Sequence, residues 1–294
     1  MLYPAELRGR PRRAEDSFLP GKCEEAPKRH RCPAVFAAIV LTCAAPAAAE
    51  TAACPLTGAD TAPNTVMVAA AAAETLRLAD GSLVRLAGID APEWASSGST
   101  AALDQLLPQG ATVTLAPTAA GKPDRYSRRH AFVFLADGRL LQAALVGEGA
   151  ARARWLPGES ACLSALIAAE HEARREKLGL WASPEAILAA DDPSLVRRTG
   201  LYEVIGGRLA SVGHGSAMTF LDFGQDHRRD FTVMASAAVT KALTQTLGSV
   251  DSLVGRHLLV RGVIQKSHGA AIRLNDAAEI ELSEDPPKPL RVHD

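Results

Sequence analysis

One short stretch holds an arginine and two carboxylates at close spacing: Val84-Arg85-Leu86-Ala87-Gly88-Ile89-Asp90-Ala91-Pro92-Glu93. Arg85 lies in an otherwise apolar run that breaks at Gly88, and Asp90 and Glu93 follow three residues apart. Taken alone, Asp-Ala-Pro-Glu is equally a helix or turn start, with Asp as the cap, Pro at the first position and Glu returning to the cap. A second segment, Lys122-Pro123-Asp124-Arg125-Tyr126-Ser127-Arg128-Arg129, is a basic loop with an aromatic inside it, and it precedes an apolar strand. A charge run is usually a solvated face, but here it can also point guanidiniums at a phosphate, which Arg grips in bidentate fashion. Hydrolysis of a phosphodiester builds negative charge, which fixed cations offset, and a carboxylate can position the attacking water. The eight histidines are scattered, and His171 in Glu170-His171-Glu172 has no second His at zinc spacing.

The elements that must position these residues are mostly strands. Thr75 to Leu78 alternates polar and apolar, Ala79-Asp80-Gly81-Ser82 is a hairpin turn signal, and Leu83 to Ile89 is the return strand. Val66 to Ala73 reads as a plain strand ahead of them. A helical stretch near 100–107 precedes a strand at Ala111 to Leu115, and Ala131 to Leu141 reads as a hairpin running into a helix. Residues 159–180 carry Leu163, Leu166, Ile167, Ala173 and Leu178 at helical spacing, with Gly179 as the stop. Pro184 and Asp191-Asp192-Pro193 mark a break, after which 197–284 is again strand-rich.

In order and spacing these blocks resemble the staphylococcal nuclease (thermonuclease) family over about residues 65–183. The resemblance rests on the Arg85-x4-Asp90-x-Pro92-Glu93 core, on Asp124-x-Tyr126-x-Arg128-x2-Ala131, and on Glu170, Ala173, Lys177 and Gly179-Leu180-Trp181. It implies a mainly β fold with α: a five-stranded barrel of the oligonucleotide/oligosaccharide-binding (OB) type with three helices. It also implies roles. Asp90 resembles a calcium ligand and Glu93 the carboxylate that orients or deprotonates water. Arg85 and Arg128 resemble the pair that binds the phosphate and offsets its growing charge. Tyr126 lies where the family has a tyrosine beside the terminal phosphate, with Arg125 next to it in the substrate-binding loop. Trp155 falls where an aromatic often stacks on a base, although packing beside a helix serves it equally. The metal implied is Ca2+. There is one departure: where the family typically begins with Asp-Gly-Asp-Thr, this chain has Ala72-Ala73-Glu74-Thr75, so Glu74 stands in for the metal-binding Asp.

The C-terminal region, 197–284, reads as a second small β-rich, OB-like domain. Phe220, Phe223 and Phe231 could stack on bases, although alternating Phe is more often core, and Arg228, Arg229, Arg256 and Arg261 could follow a nucleic-acid backbone or simply be exposed. A linker at 184–196 and a tail at 285–294 complete this half. The formal net charge is -1, so any polyanion site must be a local cluster of arginines rather than a basic face. At the other end, Lys28, Arg29 and Arg31, the apolar run Ala34 to Ala45, and Ala47-Ala48-Ala49 have the order of a secretory signal cleaved before Glu50, so 1–49 reads as an extension plus signal and 50–64 as a linker. Cleavage would leave two cysteines, Cys54 and Cys162, as a candidate disulfide. The whole reads as a monomeric, metal-dependent nuclease of the periplasm or exterior, acting on DNA and/or RNA, without a membrane span once processed. The competing reading is a catalytically weak or inactive nucleic-acid- or protein-binding module on the same fold.

Overall fold

The structure is a computed structural model and describes residues 64–283, apart from 120 and 227–228. The signal, all but the last residue of the linker at 50–64, Cys54, Arg228 and the tail lie outside the described residues, and Asn64 opens the first strand. The chain is a mixture of many strands and few helices, as expected.

The first half starts with β1 (Asn64–Ala72), β2 (Thr75–Leu78) and β3 (Leu83–Leu86), followed by the short β4 (Ile89–Asp90). The Asp-Gly turn between β2 and β3 closes as expected, with Gly81 at φ 83° and the Ser82 amide donating to Asp80 Oδ1 at 2.8 Å. Helix α1 (Ser96–Leu106) leads to β5 (Thr112–Pro117) and β6 (Arg128–Phe134). Strands β1, β2, β3, β6 and β5 pair in a closed circle, with β3 and β6 parallel and the other neighbours antiparallel. Leu76, Val84, Leu86, Val113 and Val133 fill its interior. Helix α2 (Leu141–Gly147), strand β7 (Arg152–Ala153) and helix α3 (Ser160–Arg175) complete this half. The buried positions of α3, Cys162, Leu163, Leu166, Glu170 and Ala173, share one helical face, as the apolar spacing requires.

Gly88 needs its glycine twice over. Its φ is +75°, and a Cβ there would come within 2.9 Å of Leu166 on α3. That bend turns the chain out of β3 and sets β4 against β7, with Ile89 opposite Ala153 and Asp90 opposite Arg152.

The segment read as a linker at 184–196 is part of the packed structure. It contains β8 (Leu188–Ala189), and Leu188 and Leu195 are buried. The C-terminal half continues with β9 (Tyr202–Arg208), β10 (Ser211–His214), β11 (Met218–Asp222), β12 (Thr232–Ser236), α4 (Ala237–Leu247), β13 (His257–Ser267), β14 (Gly269–Arg273) and β15 (Ile280–Leu282). These strands form one eight-stranded sheet in the order β10-β11-β12-β14-β13-β9-β8, with β15 also on β13. No pairing joins its two ends among the described residues, so a second closed barrel is not what forms. The long β13 pairs with β9, β14 and β15, and this spreads the sheet rather than closing it. Phe223 and Phe231 are core residues, with ring centroids 5.3 Å apart.

The two halves are tied by buried charge. Arg261 on β13, 1% exposed, donates to both oxygens of Glu170 on α3 at 2.8 and 2.9 Å and reaches Glu281 at 2.9 Å. Of the arginines considered for tracking a nucleic-acid backbone, Arg261 is therefore excluded, because its donors are spent inside the protein. Arg174 adds a bond to Glu281 at 2.6 Å. Removing one member of such a network leaves a buried charge without its partner. Arg261→Ala is expected to destabilise the chain by about 3–5 kcal/mol in denaturant unfolding; a change below about 1 kcal/mol would mean that the pair does not hold the halves together.

Candidate functional site

The basic loop before β6 is organised by one carboxylate. Asp124 Oδ1 accepts from the backbone amides of Tyr126 and Arg128 at 2.9 and 3.0 Å, and its Oδ2 accepts from Arg128 Nε at 2.8 Å. This grip accommodates Ser127 in the left-handed region at φ 60°, uncommon for a residue with a Cβ. Arg128 is aligned as a result, and its Nη1 donates to Thr75 Oγ1 at 3.1 Å. Tyr126 is 58% exposed, with the guanidiniums of Arg125 and Arg128 at 4.8 and 5.2 Å from its ring centre.

Arg85 sits on β3 opposite Thr75 of β2 and His130 of β6. Its Nη2 lies 2.5 Å from Glu74 Oε1, and Glu74 Oε2 accepts from the Ala91 amide at 3.4 Å. Burial pushes the Glu74 carboxyl up, partly countered by Arg85 and reinforced by Asp90. His130 is held below its ordinary value by burial and by Arg85, so it adds no charge at neutral pH.

Two arginines outside the motifs hold Asp90. Because β4 and β7 pair, Arg152 stands directly across from Asp90 and donates to its Oδ2 at 2.7 Å. Arg154, two residues further along, donates to Asp90 Oδ1 at 3.2 Å. Arg152 is 1% exposed and continues to Glu203 Oε2 at 3.1 Å and to the Tyr202 carbonyl at 2.7 Å, whereas the Arg154 side chain is 36% exposed. The sequence signal for this pair was present: Arg152-Ala153-Arg154 places charge at alternate positions of an otherwise apolar segment.

Arg85, Arg125, Tyr126, Arg128, Arg154 and Trp155 line one cavity of about 720 Å³, which Arg273 edges from the C-terminal half. Trp155 lines this cavity and packs against the barrel core, the second of its two expected roles. Asp90 and Glu93 instead line an adjoining cavity with Trp94 and Arg198, and Tyr202 borders both. Glu93 is exposed on a short 3-10 turn, Glu93–Ala95, that follows β4. The structure thus gathers five of the expected site residues in one place and puts the water-positioning candidate next door.

Calcium needs six to eight oxygen ligands, several of them carboxylate. The donors present do not fit it. One Glu74 oxygen is taken by Arg85 and the other by a backbone amide, while both Asp90 oxygens are taken by guanidiniums. No group of three or more His, Cys, Asp or Glu side chains suited to a metal occurs among the described residues. The reason is electrostatic: Arg152 and Arg154 place positive charge directly against Asp90, which disfavours a further cation on its oxygens.

Residues 83–183 match the family model described as staphylococcal nuclease homologue. That stretch runs from β3 to just past α3 and includes Arg85, Asp90, Glu93 and Arg128; it begins after Glu74, at which the first motif departs from the pattern. The family is of nuclease type: its members are typically phosphodiesterases that bind nucleic acid and generally depend on calcium. No curated protein matches the chain.

Two outcomes follow from the geometry. Calorimetric titration of the whole chain with calcium is expected to show no saturable binding below about 1 mM; a tight, stoichiometric isotherm would show that Asp90 and Glu74 release their arginines to an ion. The second concerns Asp124. Burial alone would raise its pKa, but the hydrogen bonds from Arg128 and Tyr126 outweigh that and hold it at about 2, below the ordinary 3.8. A depressed carboxylate contributes stability above its unfolded pKa and loses it as pH falls through the folded value. Asp124→Asn is therefore expected to cost about 1–2 kcal/mol at pH 7, and the difference should vanish as the pH approaches 2. A gap independent of pH in denaturant unfolding would contradict the assignment.

Proposed function

We propose that this chain is an exported phosphodiesterase acting on DNA or RNA, with its phosphate site in the arginine cavity. The observation that carries the reading is the convergence of Arg85, Arg125, Arg128 and Arg154 on one cavity, in a chain whose net charge is only -1. Arginine donors held in fixed forks suit phosphate oxygens, and in a partly dry site they offset charge that grows at the transition state. In this reading Arg85 and Arg128 bind the scissile phosphate, Arg154 adds a third cation beside them, and Tyr126 flanks the phosphate. Glu93 positions the attacking water from the adjoining cavity, across the Asp90–Arg154 pair that borders both. No step passes through calcium, whose donors are committed elsewhere. The barrel is taken to be of the OB type and the chain to act as a monomer.

Export is proposed on the order of basic, apolar and small residues at 28–49 and on the disulfide made by Cys162, which suits an oxidising compartment. No helix among the described residues is long and apolar enough to cross a membrane.

A second reading, nucleic-acid binding without turnover, is favoured by the capture of Glu74 and Asp90 by arginines. One assay separates the two. Labelled single-stranded DNA and RNA are incubated with wild type, Arg85→Lys, Arg128→Lys and Glu93→Gln, with and without chelator. The proposal expects cleavage by wild type and a loss of about 10²-fold or more in each variant, with circular dichroism unchanged. Binding that requires the arginines but never yields cleavage would leave the second reading standing.

A further inference from the structure

The C-terminal half is more than a support for the barrel. It walls the arginine cavity from the other side with Tyr202, Val263, Gln265, Arg273 and Asn275. This wall is fixed relative to the first. Tyr202 donates its hydroxyl to the Ala153 carbonyl at 2.7 Å, Arg152 reaches Glu203, and Arg261 spans to Glu170. Each of these contacts is buried, so the cleft is built into the packing rather than formed by a loose approach of two surfaces.

Within that wall Arg273 stands apart. It ends β14 as the one exposed residue of that strand, between the buried Ile272 and Leu274. The ion pairs found among the described residues do not include it, in contrast with Arg85, Arg128, Arg152, Arg154 and Arg261. The one carboxylate on this wall, Glu279, is buried and accepts from the backbone amides of Asn275 and Asp276 at 2.5 and 3.1 Å. Its oxygens are engaged by Asn275 and Asp276, and no ion pair among the described residues joins it to Arg273. Beside Arg273, Gln265 and Asn275 offer amides, and Val263 an apolar face, at the same cavity. A guanidinium, amides and apolar surface facing a phosphate site match a nucleotide chain, with its repeating phosphates and its polar, flat bases.

We infer that the C-terminal half forms a second subsite for the same nucleic-acid strand, in which Arg273 holds a phosphate neighbouring the one bound by Arg85 and Arg128. This rests on the reading above that the arginine cavity binds nucleic-acid phosphate. Arg273 is a substrate-binding residue of the cleft, and it is the role of the C-terminal half in substrate selection that depends on it.

The test is the salt dependence of binding. Fluorescence anisotropy with a labelled single-stranded oligonucleotide, in chelator, is measured on the full chain at several salt concentrations for wild type, Arg85→Ala, Arg273→Ala and Arg256→Ala. Arg256, one of the arginines considered above for a nucleic-acid backbone, is exposed on the same half but lines neither cavity of the site, so it serves as the control. Each phosphate neutralised contributes about 0.7 to the slope of log affinity against log salt for single strands. Arg273→Ala is expected to weaken binding about 10-fold and lower the slope by about 0.7, while Arg256→Ala matches wild type. If wild type binds and Arg85→Ala abolishes binding, yet Arg273→Ala keeps the wild-type slope, the subsite is refuted and the phosphate site stands. An equal loss of slope in Arg273→Ala and Arg256→Ala would also refute it, as a general effect of charge. No binding by wild type would overturn both.

Discussion

Arg152 is the residue on which the rest of the arrangement depends. It is a fully buried cation, set by strand pairing directly across from Asp90 and continuing to Glu203 and the Tyr202 carbonyl. A guanidinium removed from water is costly unless its donors are matched, and here two carboxylates and a carbonyl match the Nη donors, while Nε is without a hydrogen-bond partner among the described residues. One side chain thereby joins the barrel to the C-terminal half and fixes what Asp90 can do. With Oδ2 taken by Arg152, the remaining oxygen of Asp90 is turned to Arg154. The acid that would otherwise serve a cation becomes the anchor for one.

The same logic recurs through the site. Arg85 is paired with Glu74, Arg128 with Asp124 and Arg154 with Asp90. Each pair holds an arginine in position and lowers the net positive charge, which is how a chain with no basic face can still present several guanidiniums to one cavity. In the proposed function an incoming phosphate must compete with these carboxylates for donors, so affinity should be modest and sensitive to salt. Preorganisation is what the pairing supplies: donors already aimed need little rearrangement as charge develops on a bound phosphate.

Much of this was legible in the sequence, and the parts that were not share a cause. The Asp-Gly turn, the helical face of α3 and the Asp124 loop follow from local rules of spacing and turn chemistry. The approach of Arg85 to Arg128 was implied only by the family resemblance, because the segment holding Arg128 reads as a loop and the parallel pairing of β3 with β6 is long-range. The partners of Asp90 were missed because β7 is only two residues long, so the alternation of Arg152 and Arg154 has no longer strand pattern around it to reveal a pairing with β4. Arg261 looked like an exposed cation in a strand, and only the packing of β13 against α3 shows that its partner is Glu170, 91 residues away in sequence. The stretch read as a linker looked like one because Pro184 and Asp191-Asp192-Pro193 punctuate it, while Leu188 and Leu195, which bury it, are too few to form a pattern. Long-range ion pairs and short bridging strands are where local reading runs out.

The central claim is that arginines, and no calcium ion, hold the phosphate in this cavity. A crystal structure of the chain grown with calcium and a short single-stranded oligonucleotide tests it most directly. The account predicts a phosphate within hydrogen-bond reach of Arg85, Arg128 and Arg154, with Asp90 still bound by Arg152 and Arg154. A calcium ion between Asp90 and Glu74 with Arg154 swung away, or a strand bound outside the arginine cavity, would contradict it.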